Sequence, residues 1–245
     1  MRAKSGDEMT ALLKWAGLNS NWELVEPALA SASRIYVFGP PGIGKSHLTL
    51  HSGVAVFQVT PSDDISVQEL AGHYLPEGNV FRWHDGPVTT AARQGALLIL
   101  NEITRASGAV QDFLLGILDS PEVAVITLPT GENFKPAKGF AVVATANTPP
   151  DRLDPALRSR FEVEIELRDP NPGVIARLNR VIAGLGDVLR DSFKDPTRAL
   201  DPRKVLSFGN LVRSGVPPRQ AAILTFGERA LDVIQAMTAR GVKLQ

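Results

Sequence analysis

Cysteine is absent from the 245 residues. That removes disulfides, thiolate nucleophiles and cysteine-bearing zinc sites together, and it fits a reducing cytosolic compartment. An excess of either charge is also absent, since 26 Lys and Arg balance 26 Asp and Glu. Electrostatics therefore cannot lead a partnership, which argues against a general binder of nucleic acid or of membrane surfaces. No apolar run approaches the roughly 18–20 residues that a membrane-spanning helix needs. Glu8, Lys14 and Asn19 interrupt the amino-terminal apolar residues, so no signal-peptide pattern forms there. These absences lead to the expectation of a soluble cytoplasmic protein without a membrane partner. What remains is a composition 44% hydrophobic and 21% charged, the balance of a globular chain long enough to bury a substantial core.

Short β-rich apolar runs occur at Arg34 to Phe38, Val54 to Val59, Ala96 to Leu100, Phe140 to Ala146 and Phe161 to Leu167, separated by helix-length connections. The alternation predicts an α/β fold in which five strands form a mostly parallel sheet with helices on both faces. The runs stop near residue 170. Asn171-Pro172 reads as a helix N-cap and first turn, and Val174, Ile175, Leu178, Val181, Ile182 and Leu185 follow at helical spacing. The expected organisation is two N-terminal helices over 1–32 packing on the sheet domain, an α/β domain over 33–169, and a small all-α domain over 170–245. The first helix carries Met9, Leu12, Leu13 and Leu18, the second Trp22, Leu24, Val25 and Leu29. Two hairpins are inserted between strands. One turns at Glu77-Gly78-Asn79 and places Phe81 and Trp83 on one face; the other turns at Pro129-Thr130-Gly131.

Directly after the first strand comes Gly39-Pro40-Pro41-Gly42-Ile43-Gly44-Lys45-Ser46, followed by His47. It satisfies G-x-x-x-x-G-K-[ST] in a strand-loop-helix setting and is the strongest signal in the chain. Glycines are needed because backbone N–H groups must turn inward around phosphate oxygens, where a Cβ would obstruct them. Lys45 neutralises the β- and γ-phosphates, Ser46 ligates Mg²⁺, and the following helix adds the partial positive charge of its N-terminus. The second signal is the buried strand ending in Asn101-Glu102. In an enzyme with such a loop, that strand end helps hold Mg²⁺ and orients and deprotonates water. Glu102 suits the second task. Asn101 stands where an Asp is expected, keeping a carbonyl oxygen of similar reach but losing a charge at the metal.

With these motifs in place, Asn101-Glu102-Ile103-Thr104-Arg105-Ala106 resembles the D-E-I-N-R-A of the AAA+ ATPases, in the branch of MoxR, CbbQ/NorQ and dynein-related proteins. Asp85-Gly86-Pro87-Val88 and Ala91-Ala92-Arg93-Gln94-Gly95 resemble that branch's D-G-P-L and A-A-R-E-G stretches. The likeness covers roughly 33–168 well and the rest more loosely. It implies a P-loop NTPase with a helical lid, hydrolysing ATP with Mg²⁺. It implies that Asn147 in A-T-A-N-T-P is sensor 1, which positions the attacking water. Within Leu153 to Phe161, it implies that Arg160 rather than Arg158 reaches a neighbouring subunit's nucleotide, where a guanidinium fork stabilises charge on the transferring phosphoryl group. Sensor 2 has two candidates, Arg203 after Asp201-Pro202 and Arg219 after Pro217-Pro218. Counting lid helices favours Arg203, whereas a MoxR-like alignment favours Arg219. A trans arginine makes a head-to-tail contact, so the resemblance implies a ring, by analogy a hexamer, acting on a protein client or beside a von Willebrand A-domain partner. A slow nucleotide-gated adaptor, motivated by Asn101, and a DNA-directed motor stand as alternatives. Tyr74, Leu75, Phe81 and Trp83 fall where relatives place loops facing a pore or partner, with core packing open for Phe81 and Trp83. His47, His51, His73 and His84 form no convincing ligand set.

Overall fold

The computed structural model describes residues 13–45, 55–195 and 198–243. Five strands make one parallel sheet: β1 (Arg34–Phe38), β2 (Val56–Val59), β5 (Leu97–Leu100), β8 (Ala141–Ala146) and β9 (Val163–Glu166), in the order β2-β5-β8-β1-β9. The central strands β5 and β8 are buried almost throughout, which is why they read as unbroken apolar runs. At the edge, β9 alternates as Val163-Glu164-Ile165-Glu166. Because every pairing is parallel, with Val59 opposite Leu100, Leu100 opposite Ala144, and Phe38 opposite both Ala146 and Glu166, all five strands end on one edge. That edge carries Asn101, Glu102 and Asn147, and the loop that leaves β1 starts from it.

One face of the sheet, with Tyr36, Leu98, Leu100, Val142 and Ala144, packs against α3 (Pro87–Gln94) and α4 (Gly108–Leu118) through Val88, Ala91, Val110, Leu114 and Ile117. At the sheet's β9 edge, Asn21 opens a 3₁₀ turn and donates its side-chain amide to the Glu166 carbonyl, and α1 (Val25–Ser31) follows. Met9 and Leu12 lie outside the described residues. After α2 (Val67–Ala71), β3 (Gly72–Glu77) and β4 (Val80–Asp85) form the first inserted hairpin, with Gly78-Asn79 at its tip. Phe81 is 73% exposed on it, whereas Trp83 meets the Tyr74 ring edge-on at 5.4 Å and reaches the core. The second hairpin is short, β6 (Ile126–Thr127) with β7 (Asn133–Phe134).

The remaining elements are α5 (Pro155–Arg158), then α6 (Pro172–Val181), α7 (Leu185–Ser192), α8 (Pro202–Arg213), α9 (Pro218–Phe226) and α10 (Ala230–Ala239). The last five share a second core built on Leu178, Leu185, Leu189, Val205, Phe208, Ala222 and Met237. Two compact units result. One lies within Met1–Gly39 and Ser46–Glu166, the other within Pro40–Lys45 and Leu167–Gln245, so the loop residues 40–45 group with the helices. Among the described residues no helix is long and apolar enough to cross a membrane.

Candidate functional site

Gly39 closes the end of β1 by donating its N–H to the Ala146 carbonyl at 3.3 Å. The loop then turns through Gly42 at φ 80° and Gly44 at φ 101°, backbone that L side chains rarely adopt. Room is lacking as well. A Cβ at Gly42 would stand 2.9 Å from Pro202 Cδ, and one at Gly44 2.9 Å from Asn171 Cβ. Two helix starts thus brace the loop. Asn171 donates its N–H to the Ile43 carbonyl at 2.9 Å, and its Oδ1 caps α6 by accepting from Gly173 N–H at 2.7 Å. Asp201 caps α8 through Arg203 N–H at 2.8 Å. Lys45 is buried and its Nζ donates to the Pro40 carbonyl at 2.9 Å, across the loop. An ammonium enclosed by backbone held in glycine conformations is a donor set for an anion, so these residues fit a triphosphate tail. Ser46, His47 and His51 lie outside the described residues. Arg203 is the second residue of α8, the third α-helix among the described residues of its unit, and Arg219 the second residue of α9.

At the sheet edge, Asn101 prolongs the ladder by donating its N–H to the Val59 carbonyl at 2.8 Å. Its side chain is buried, and Oδ1 faces Thr145 Oγ1 at 3.4 Å. Glu102 sits at φ 54°, ψ 46°, the one positive-φ residue other than glycine among those described. The left-handed region costs a non-glycine residue about 1–2 kcal/mol, and here it turns the strand sharply so that the carboxylate leaves the ladder. Glu102 Oε1 accepts from Asn147 Nδ2 at 2.8 Å. The expected base and the expected sensor, 45 residues apart in sequence, are therefore in direct contact. Thr148, the next residue, offers its carbonyl to the Tyr36 hydroxyl at 2.9 Å. Burial pushes the Tyr36 phenol up to about 12, with the Glu102, Glu164 and Asp151 charges adding to burial and the bond to Thr148 opposing it.

The two arginines before Phe161 differ. Arg160 is anchored through Nε to Asp119 Oδ1 at 2.8 Å and the Leu115 carbonyl at 3.0 Å, and through Nη1 to the Ala156 carbonyl at 2.7 Å. A cleft of about 410 Å³ opens beside it, between Asp119, Ser159 and Glu162. Arg158 is more exposed and forks onto the Glu164 carboxylate at 2.9 and 3.2 Å, a pairing that raises its pKa. Neither Asp119 nor Tyr36 is singled out by sequence reasoning. The available signal for Tyr36 is alternation, which sets Arg34, Tyr36 and Phe38 on one face of β1; nothing local points to Thr148. His73 and His84 sit opposite each other in the first hairpin, and His84 Nε2 lies 3.0 Å from Glu77 Oε1.

A glycine-braced anion loop following one parallel strand, and a polar-acidic pair meeting an asparagine at the ends of two others, define a P-loop nucleotide-binding protein with a helical C-terminal unit. Residues 34–161 match the AAA domain of the dynein-related subfamily, and the chain belongs to that family. Proteins of that family are P-loop ATPases, which bind ATP with Mg²⁺. The chain is 33% identical to protein NorQ of Paracoccus denitrificans over 174 residues, covering 68% of this chain but only 63% of that protein. It is 27% identical to the denitrification regulatory protein NirQ of Stutzerimonas stutzeri over 241 residues, or 91% and 87% of the two chains. In fold it is similar to the RuvB Holliday junction branch migration motor of Thermotoga maritima, with TM-score 0.50 and 18% identity over 97% of this chain and 72% of that one.

Proposed function

We propose that the chain is the ATP-hydrolysing subunit of a closed homo-oligomeric ring, a hexamer, that remodels or activates a protein partner. The observation that carries the hydrolytic part is the 2.8 Å hydrogen bond from Asn147 to Glu102, which joins a water-orienting amide to a proton acceptor. The amides of Gly39, Gly42, Ile43 and Gly44, with Lys45, hold the phosphates, and Arg203, in preference to Arg219, reports the γ-phosphate. Glu102 takes the proton of the attacking water as its oxygen bonds to phosphorus and the bridging bond to ADP breaks. Ser46 and Asn101 are the residues that would hold Mg²⁺, which would supply neutralisation of phosphate charge there. Arg160 acts on a neighbouring subunit's nucleotide, with Asp119 fixing one edge of its guanidinium. The regulatory role in the name of NirQ supports an activating function.

Phosphate release and negative-stain images of the chain with ATP and Mg²⁺ test this together. Rings with turnover that disappears in Glu102→Gln are the expected result; a monomer that releases no phosphate overturns it. The buried Asn101, facing Thr145, favours a second reading, a nucleotide-gated module with slow turnover. Asn101→Asp separates the two, since a gain of about tenfold or more in turnover favours gating, on the scale on which outer metal-site residues act, and no gain favours the hydrolytic machine.

A further inference from the structure

We propose that Tyr36 is a positioning residue for hydrolysis, its hydroxyl holding the Thr148 carbonyl so that the Asn147 amide stays on the Glu102 carboxylate. The proposal rests on the roles given to Asn147 and Glu102 above. Tyr36 lies in the middle of β1 with none of its surface exposed, its ring 5.8 Å from Phe38 and 5.4 Å from Phe161. Packing of that kind needs only a phenyl ring. The hydroxyl adds a polar atom whose removal from water must be compensated by a hydrogen bond. The bond it makes is not local. It reaches across 112 residues to the backbone immediately after Asn147.

The sheet ladder fixes β8 as far as Ala146, which stands opposite Phe38. Two residues later the chain is tied again, from inside the core, by Tyr36. Asn147 is thus the exposed residue between two fixed points, and its amide donates to Glu102 Oε1. With the phenol pushed up to about 12, the donor stays protonated at any pH at which such an enzyme is assayed. Loosening this tie lets the amide wander from the carboxylate, and small displacements of a positioning group are expensive in rate because catalysis depends on a pre-set geometry. Nucleotide binding, which depends on the loop 40–45, is left alone.

Tyr36→Phe keeps the ring and removes the hydroxyl. Steady-state hydrolysis by the full chain is expected to show kcat lowered about three- to tenfold, the worth of one net hydrogen bond, with KM for ATP changed by less than about twofold. In an Asn147→Ala background the same substitution is expected to add nothing, since the two residues act as one. Hydrogen exchange, followed by mass spectrometry, should rise over 146–148 in Tyr36→Phe and stay unchanged over Leu97–Leu100. An unchanged kcat, a raised KM at constant kcat, an equal loss in the Asn147→Ala background, or a uniform rise in exchange overturns the proposal. Should Asn147→Ala itself leave kcat untouched, the role of Asn147 falls first and carries the proposal with it.

Discussion

Arg34 is 1% exposed, yet the partners of its guanidinium are carbonyls: Ser33 and Phe140 at 2.9 and 3.4 Å, Ile117 and Asp119 at 3.1 and 3.2 Å. Burial lowers its pKa, and the charges of Glu162 and Asp119 act against that. A sequence reading takes Arg34 as the polar start of an apolar run, because the four carbonyls it serves come from segments up to 106 residues away. Glu102, by contrast, is legible: an acid ending a buried strand downstream of a phosphate loop has few other reasons to be there. Glu102→Gln is expected to lower turnover by about 10²–10⁴-fold, the range of a general base, while ATP still binds by calorimetric titration; undiminished turnover would refute the assignment. Tyr36 makes a pH prediction. Its folded pKa lies above the value of about 10 normal for a free phenol, so its stabilising contribution is complete below pH 10 and is lost as pH rises towards 12. Melting curves across that window should fall less steeply for Tyr36→Phe than for the parent; parallel curves would contradict the burial argument.

At the level of elements, α4 ends in carbonyls that need partners, and two cations provide them. Arg34 takes those of Ile117 and Asp119, while Arg160 takes that of Leu115 together with the Asp119 carboxylate. Positive charge at a helix C-terminus is favourable in itself. The start of α6 is governed by the opposite chemistry, with Asn171 as cap. Asn171→Ala is expected to destabilise the chain by about 1 kcal/mol, measurable as a lower midpoint in urea; an unchanged midpoint would show the cap to be unimportant. This cap and the five strands were readable, because each depends on a few adjacent residues. Strand order was not. Parallel neighbours such as β1 and β9 are separated by more than a hundred residues, and nothing in either segment names the other. For the same reason Arg160 could be picked out as a candidate, but not its attachment to Asp119.

For the whole molecule, the proposed head-to-tail ring would make each site a joint product of two copies. Subunits with Glu102→Gln retain Arg160, and subunits with Arg160→Ala retain Glu102. Each variant alone should be nearly inactive, and an equal mixture should recover activity at about a quarter of its interfaces, the chance that a competent base meets a competent arginine. No recovery in phosphate release would refute a trans role for Arg160.

The first hairpin is unevenly tolerant along its length. At its foot, a Cβ on Gly72 would fall 2.4 Å from the His84 carbonyl and one on Gly86 2.4 Å from the Leu70 carbonyl, whereas at the tip nothing lies within 4 Å of Gly78. Extra residues or a fluorescent label spliced in at the tip should therefore leave the foundations undisturbed, making this turn a natural handle for watching the protein at work.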